Sequence, residues 1–137
     1  MFLSQLLPIL LLAAPPELPA HPIDIDLARC LDSDEGASAH GARRCIRNAT
    51  AAWDRELNRV YRELMDELDE RQRLKLRDAQ RKWTAFRDSE VDAVGTIYGS
   101  LEGTVFLVMQ SEAVSSLTRE RVRQLNGMLE VIRSAKP

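Results

Sequence analysis

The stretch LRDAQRKWTAFRDSE, residues 76–90, decides the fold that this sequence predicts. It contains no Gly or Pro and many strong helix formers, so it predicts an α-helix. Leu76, Gln80, Trp83 and Arg87 share one face of that helix, because they are spaced by four, three and four residues. An ordinary amphipathic helix turns only apolar side chains to the core. The glutamine and the arginine in this stripe therefore predict polar contacts inside a helical protein.

The helical period extends to both sides of this stretch. Apolar residues recur at steps of three and four over residues 42–68, which predicts a helix of about seven turns. A second long helix is predicted from residue 70 to about residue 101. Asp69 is a candidate N-cap, with Gln72 three residues later as in a capping box. The short link predicts that the two long helices form an antiparallel hairpin.

The remaining segments complete an all-α prediction. A third, C-terminal helix is expected from residue 111 onward, and a short N-terminal helix over residues 24–31. Residues 32–41 have the composition of a loop. Gly99 and Gly103 are expected to end the second long helix, with Thr104 as a candidate cap for the next segment. No alternating strand pattern suggests a sheet.

Length and composition set the broad class. The chain has 137 residues, of which 45% are hydrophobic and 29% charged, as in an ordinary soluble domain. The formal net charge of −2 argues against a nucleic-acid-binding protein.

The N-terminal segment 1–20 reads as a signal peptide. Its apolar run, Leu6 to Ala14, is too short to span a bilayer comfortably. No Lys or Arg precedes this run, so an uncleaved anchor or a mis-assigned start is the alternative. Cleavage after Ala20 would leave residues 21–137 as one helical domain, periplasmic or secreted, with no stable membrane insertion.

Cys30 and Cys45 are the only cysteines, and an isolated pair in an exported chain predicts one disulfide. Closing such a short loop is worth about 3 kcal/mol in the chain-entropy model. A metal site is the alternative, but two cysteines with His40 offer too few ligands.

Catalytic groups are hard to find in this sequence. The disulfide would leave no thiol nucleophile, no motif places a serine beside a base, and there is no Gly-rich phosphate loop. We therefore expect a protein that is not an enzyme and has no cofactor.

Polar residues occur on the predicted apolar faces of all three long helices. We expect them to form a polar seam made of Asp54, Asn58, Tyr61, Gln80, Trp83, Arg87 and Arg121. Counting from the turn near residue 70 predicts that Asp54 meets Arg87 and that Asn58 meets Gln80. Such a seam can fix helix register. The alternative is that part of it forms a ligand or partner site.

The predicted hairpin tip is strongly charged. Acidic residues crowd residues 63–70 and basic residues crowd residues 71–82, so the two clusters are expected to face each other. Exposed pairs of this kind contribute only about 0–1 kcal/mol each. The possible partner contacts at this tip are Glu67, Arg71, Arg73 and Lys75.

Five motifs follow one another along this chain. They are the pair Cys30 and Cys45, WDRELNRVY (53–61), LRDAQRKWTAFRD (76–88), GT (103–104) and LTRERVRQL (117–125). In this order they resemble the motifs of the LprI-like family. The resemblance implies a small exported helical protein of bacteria, from a family named after a lipoprotein that inhibits lysozyme. Many relatives carry two further cysteines, and this chain has Val91 and Ala113 near those positions. The lipid-attachment cysteine of the name-giving member is also missing, which weakens any transfer of its membrane anchoring.

Two functions agree with these observations. The first is an inhibitor of lysozyme or of a related cell-wall hydrolase, since such enzymes act through two carboxylates to which a basic tip could bind. The second is a helical binding or scaffold module of the envelope with an unknown protein partner. The oligomeric state is open in both cases.

Overall fold

The computed structural model describes residues 20–136, and this part of the chain is entirely helical. Its four helices are α1 (Pro22–Leu31), α2 (Ala39–Glu67), α3 (Glu70–Gly99) and α4 (Thr104–Ser134). No strand occurs within these residues. The all-α prediction is confirmed. The predicted signal peptide lies almost wholly outside the described residues.

Helix α2 begins at Ala39, three residues earlier than predicted. The reason is a local cap that the apolar period does not reveal: Ser38 Oγ accepts a hydrogen bond from the backbone N–H of Gly41 over 3.0 Å. This satisfies one of the donors left open at a helix N-terminus. The loop between α1 and α2 is correspondingly shorter.

The link between α2 and α3 agrees with the sequence prediction. Asp69 Oδ1 accepts from the N–H of Gln72, and the Gln72 side chain accepts in return from the N–H of Asp69. This is a complete capping box, as predicted. Only two residues separate α2 from α3, so the chain reverses sharply here.

Helix α3 ends at Gly99, as predicted, and α4 then begins earlier than its apolar period suggests. Gly103, with φ of 119°, takes the capping position, so Thr104 is the first residue of α4 rather than its cap. This backbone conformation is open to glycine and strained for other residues. Residues 105–109 have no clear period because α4 is not fully covered there, and Val105 and Met109 are exposed.

The three long helices alternate in direction, and α2 and α4 run parallel. Asp54 and Glu63 of α2 lie beside Thr118 and Arg133 of α4, so both helices advance together. Helix α3 runs the opposite way, with Gln80 beside Arg121 of α4. Helix α4 packs more extensively on α2 than on α3, and α2 and α3 approach each other least closely.

The core lies mainly between α2 and α4, with one contribution from α3. Trp53, Val60 and Leu125 are almost completely buried at its centre. The full cluster of buried apolar residues is Trp53, Leu57, Val60, Leu64, Leu76, Val122, Leu125 and Leu129. Its α2 members are three or four residues apart, which explains the strong period of residues 42–68.

Helix α1 is tied to α2 by the disulfide that the sequence predicts. Cys30 and Cys45 are bonded, with their Cα atoms 5.8 Å apart. His21 caps α1 by accepting from the N–H of Ile23, and its ring packs at a tilt of 39° against Trp53, with centroids 4.6 Å apart. Within residues 20–136, none of the helices is long and apolar enough to cross a membrane.

Candidate functional site

Of the seven predicted seam residues, the structure brings together four: Arg121 of α4 with Gln80, Trp83 and Arg87 of α3. Asp54 and Asn58 of α2 are exposed. The side chain of Arg121 is only 9% exposed. Its Nε donates to Oε1 of Gln80 on α3 over 3.0 Å, and its Nη1 donates to Oε1 of Gln124 over 3.1 Å. No carboxylate pairs with it among residues 20–136, and burial lowers the pKa of its guanidinium. Arg121 is therefore a buried cation held by neutral amide oxygens.

Two guanidinium groups lie against Trp83 of α3. The Cζ atom of Arg87 is 5.3 Å from the ring centroid, and that of Arg121 is 5.8 Å away. Both distances fall within the range of cation–π contacts, which are strongest over a tryptophan. The carboxylate partner of Arg87 is Asp88, its neighbour in sequence, at 2.8 Å.

The predicted pairs across the hairpin are wrong. Arg87 pairs with Asp88 rather than with Asp54, and the Oδ1 of Asp54 lies 3.5 Å from the hydroxyl of Thr118 on α4. Gln80 bonds Arg121 rather than Asn58. The reason is that α4 packs on both α2 and α3, whereas α2 and α3 approach each other least closely. Gln80 and Asp54 therefore find their partners on α4.

A crevice remains where α2 and α3 diverge, and several seam residues line it. We call it the α2–α3 crevice; its volume is about 280 Å³. Its walls are Leu57, Asn58 and Tyr61 of α2 with Arg77, Gln80, Arg81, Trp83, Thr84 and Arg87 of α3. Both stretches that carry most of the sequence resemblance thus contribute to one surface depression.

Two of the four predicted partner contacts at the hairpin tip are used inside the molecule. The carboxylate of Glu67 binds Arg133 and Lys136 at the end of α4. The Nε of Arg73 donates over 2.8 Å to the backbone oxygen of Met65, in the last turn of α2. Arg73 therefore satisfies a carbonyl left open at a helix C-terminus.

The acidic end of α2 is neutralised by α4, not by the basic start of α3 as predicted. Lys136 and then Arg133 lower the pKa of Glu67, while Arg59 and then Arg133 lower the pKa of Glu63. Arg133 in the last turn of α4 and Lys136 just after the helix are the part of this cluster that the sequence reasoning missed.

The other two tip residues, Arg71 and Lys75, face outward beside an apolar groove. Neither has an ion-pair partner among the described residues. The groove, which we call the turn groove, has a volume of about 860 Å³. Its walls are Leu64, Leu68, Asp69, Arg71, Gln72, Lys75, Leu76, Ala79, Gly127, Met128, Val131 and Ile132. Met128 and Val131 are about half or more exposed there, so this surface combines apolar area with a basic edge.

One group of potential metal ligands occurs in the described part of the chain, formed by Cys30, Glu35 and Cys45. The two sulfurs are bonded to each other. A metal ligand must be a thiolate, so this group is not a metal site in the oxidised protein.

The profile of the family described as "Lysozyme inhibitor LprI" matches residues 30–125 of the chain. The chain belongs to the LprI family. The match covers both cysteines, α2, α3 and most of α4, so the LprI region includes the seam, the α2–α3 crevice and much of the turn groove. Comparison with curated proteins gives no match.

A solved structure resembles this LprI chain over most of its length. It is the crystal structure of an uncharacterised protein from Burkholderia thailandensis, with 27% sequence identity and a TM-score of 0.79. The similarity covers 86% of this chain but only 57% of the other, so this chain spans little more than half of that protein's length.

Proposed function

We propose that this protein is an exported, non-catalytic inhibitor of lysozyme or of a related cell-wall hydrolase. The family match supports the inhibitor class. The observation that carries the proposal is the position of Arg71 and Lys75, two exposed cations at a sharp helical turn beside the turn groove. We assign the inhibitory surface to this end of the molecule.

The chemistry of the target favours such a surface. Glycoside hydrolases of this kind act through two carboxylates that flank the scissile bond in a cleft. A guanidinium or ammonium group inserted into the cleft would pair with these carboxylates. Apolar contacts from Met128 and Val131 would supply the buried area that charge pairs alone do not provide.

Within the part of the chain that the structure describes, no carboxylate forms an ion pair with either of these two cations. The nearby carboxylate of Glu67 is occupied by Arg133 and Lys136. The side chain of Asp69 is occupied by the backbone of α3. Arg71 and Lys75 therefore keep their charge available to a partner.

The test is a wall-suspension turbidity assay with lysozyme and the purified protein. We expect inhibition that is stoichiometric and shows no turnover. The double variant Arg71→Glu with Lys75→Glu should inhibit at least about tenfold less well, because charge pairs buried in an interface are worth about 2–5 kcal/mol when one partner is lost.

The matched control is Arg55→Glu with Arg62→Glu, two exposed arginines of α2 that carry the same change in charge. This variant should inhibit as the wild type does, and both variants should keep the wild-type circular dichroism spectrum. Full activity of lysozymes and bacterial wall hydrolases at large molar excess of wild-type protein would reject the inhibitor proposal. The scaffold module with another envelope partner would then remain.

A further inference from the structure

The α2–α3 crevice carries more positive than negative charge. Arg77, Arg81 and Arg87 all line it. Asp78 pairs with Arg81 at 3.2 Å and also with Lys82 at 3.0 Å, so one carboxylate is shared by two cations. Arg77 has no ion-pair partner among residues 20–136. The crevice therefore has guanidinium charge that the protein leaves uncompensated.

A fourth guanidinium lies behind the wall of the crevice. Arg121 contacts the ring of Trp83, which lines the crevice, and bonds Gln80, which also lines it. Because Arg121 is buried and bonded only to amide oxygens, its charge is poorly screened by water. It adds to the positive potential of the same depression.

The carboxylate partner of the Arg87 guanidinium can be replaced by a ligand. The Nε and Nη2 of Arg87 both donate to a single oxygen of Asp88, Oδ1, at 3.0 and 2.8 Å. The side chain of Asp88 is 64% exposed, so water can replace its bond to Arg87 at little cost. An incoming carboxylate could instead use both oxygens on the planar fork of the guanidinium.

Neutral polar groups complete the lining. Asn58 and the hydroxyl of Tyr61 have no hydrogen-bond partner in the described chain, and Gln80 uses only its oxygen, on Arg121. These groups can bond hydroxyls of a ligand. The volume of about 280 Å³ limits that ligand to a small molecule.

We propose that the α2–α3 crevice binds a small hydroxylated carboxylate, with Arg87 holding the carboxylate, Arg77 adding positive potential from further along the same wall, and Asn58 and Tyr61 bonding the hydroxyls. This site is separate from the turn groove. Its occupation does not depend on whether the protein inhibits a hydrolase.

The test uses the purified protein and sodium glucuronate as the probe, followed by titration calorimetry and tryptophan fluorescence at constant ionic strength. Glucose, which lacks the carboxylate, and inorganic phosphate are the comparison ligands. We expect saturable binding of glucuronate with a dissociation constant of about millimolar, and no saturable binding of glucose.

Single substitutions around the crevice test this geometry. Arg87→Gln should weaken glucuronate binding about tenfold or more, because the charge-assisted hydrogen bond to the carboxylate is lost. Arg77→Gln should weaken it only about twofold, as expected for one exposed charge nearby. Asp88→Asn should tighten it by about threefold, because an exposed competing carboxylate is removed. Asp92→Asn, four residues further along α3 with the same change in charge, should leave it unchanged.

Three results would overturn the proposal. The first is the absence of saturable glucuronate binding. The second is an equal effect of Asp88→Asn and Asp92→Asn, which would show a general charge effect instead of competition for Arg87. The third is binding of phosphate more tightly than glucuronate, which would show that the crevice is not built for a carboxylate.

Discussion

Arg121 of α4 donates from its Nε to Oε1 of Gln80 on α3, over 3.0 Å. The buried charge is thus met by an amide dipole and not by an acid. This bond lies beside Trp83, whose ring the same guanidinium contacts. It holds α3 and α4 in register through a contact that neither helix could make alone.

A double-mutant cycle should detect this contact. Gln80→Leu alone leaves a buried guanidinium short of one acceptor, which costs about 1–3 kcal/mol. In an Arg121→Met background the same change should cost about 1 kcal/mol less, since the group that needed the amide is gone. Free energies of unfolding from urea titrations measure the difference.

The control cycle is Asp54→Leu with Arg87→Met. These residues do not meet, so their effects should add to within about 0.5 kcal/mol. A clear coupling between them, or none between Gln80 and Arg121, would contradict this arrangement of the seam.

Arg73 and Arg71 should separate stability from inhibition. Arg73→Met removes the bond to the carbonyl of Met65 and should lower the free energy of unfolding by about 0.5–1.5 kcal/mol. Arg71→Met should change it by less than about 0.5 kcal/mol, because the Arg71 side chain makes no such hydrogen bond to any residue from 20 to 136. In the turbidity assay, under conditions where both variants are fully folded, Arg71→Met should inhibit lysozyme less well than Arg73→Met.

The acidic end of α2 should make stability depend on pH. Lys136 and Arg133 lower the folded pKa of Glu67. The stabilisation is therefore present above the unfolded pKa of about 4.3 and is lost as the pH falls through the lower, folded value. Glu67→Gln should be less stable than the wild type at about pH 7 and should match it at about pH 2, by urea midpoints.

Asp66→Asn is the control for Glu67→Gln. It removes an exposed carboxylate from the same turn of α2. This carboxylate has no ion-pair partner among residues 20–136. Its effect on the urea midpoint should be small at both pH values. An equal effect of the two substitutions would show that general charge, and not the pairing with Arg133 and Lys136, stabilises this end.

Two helical glycines should respond oppositely to alanine. A Cβ atom at Gly41 would lie 1.6 Å from the backbone oxygen of Glu35, so the loop before α2 would have to move. We expect Gly41→Ala to cost about 1–3 kcal/mol or more. A Cβ at Gly127 of α4 meets nothing within 4 Å, so Gly127→Ala should stabilise the protein by about 0.5–1 kcal/mol. Thermal unfolding of both variants tests the contrast.

Local features of this fold could be predicted from sequence because they depend on neighbouring residues. The capping box at Asp69 and Gln72, the helix end at Gly99 and the long period of α2 all arise within one or two turns. The disulfide could be predicted by counting two cysteines in a chain expected to be exported. With only two cysteines, this pairing does not depend on how the long helices pack.

The residue pairs of the seam could not be predicted, because they depend on a third helix. Counting residues from the turn assumes that α2 and α3 face each other directly. Helix α4 takes up that space, so Gln80 turns to Arg121 and Asp54 to Thr118. Arg121 and Gln124 are three residues apart on one helix face, and this spacing was a local signal for their bond. Glu67 and Arg133 lie on different helices, so no local pattern predicts that they pair.

The parallel arrangement of α2 and α4 has a consequence for the order of folding. Residues that touch across this interface, such as Asp54 and Thr118, are 64 positions apart in the chain. Synthesis delivers α2 and α3 first, and the apolar face around Val60 stays open until α4 arrives. Such distant partners raise the contact order and slow folding relative to a simple hairpin. A nascent chain that has not yet produced α4 therefore exposes the apolar face of α2. Such a chain is prone to aggregation and proteolysis and needs chaperones.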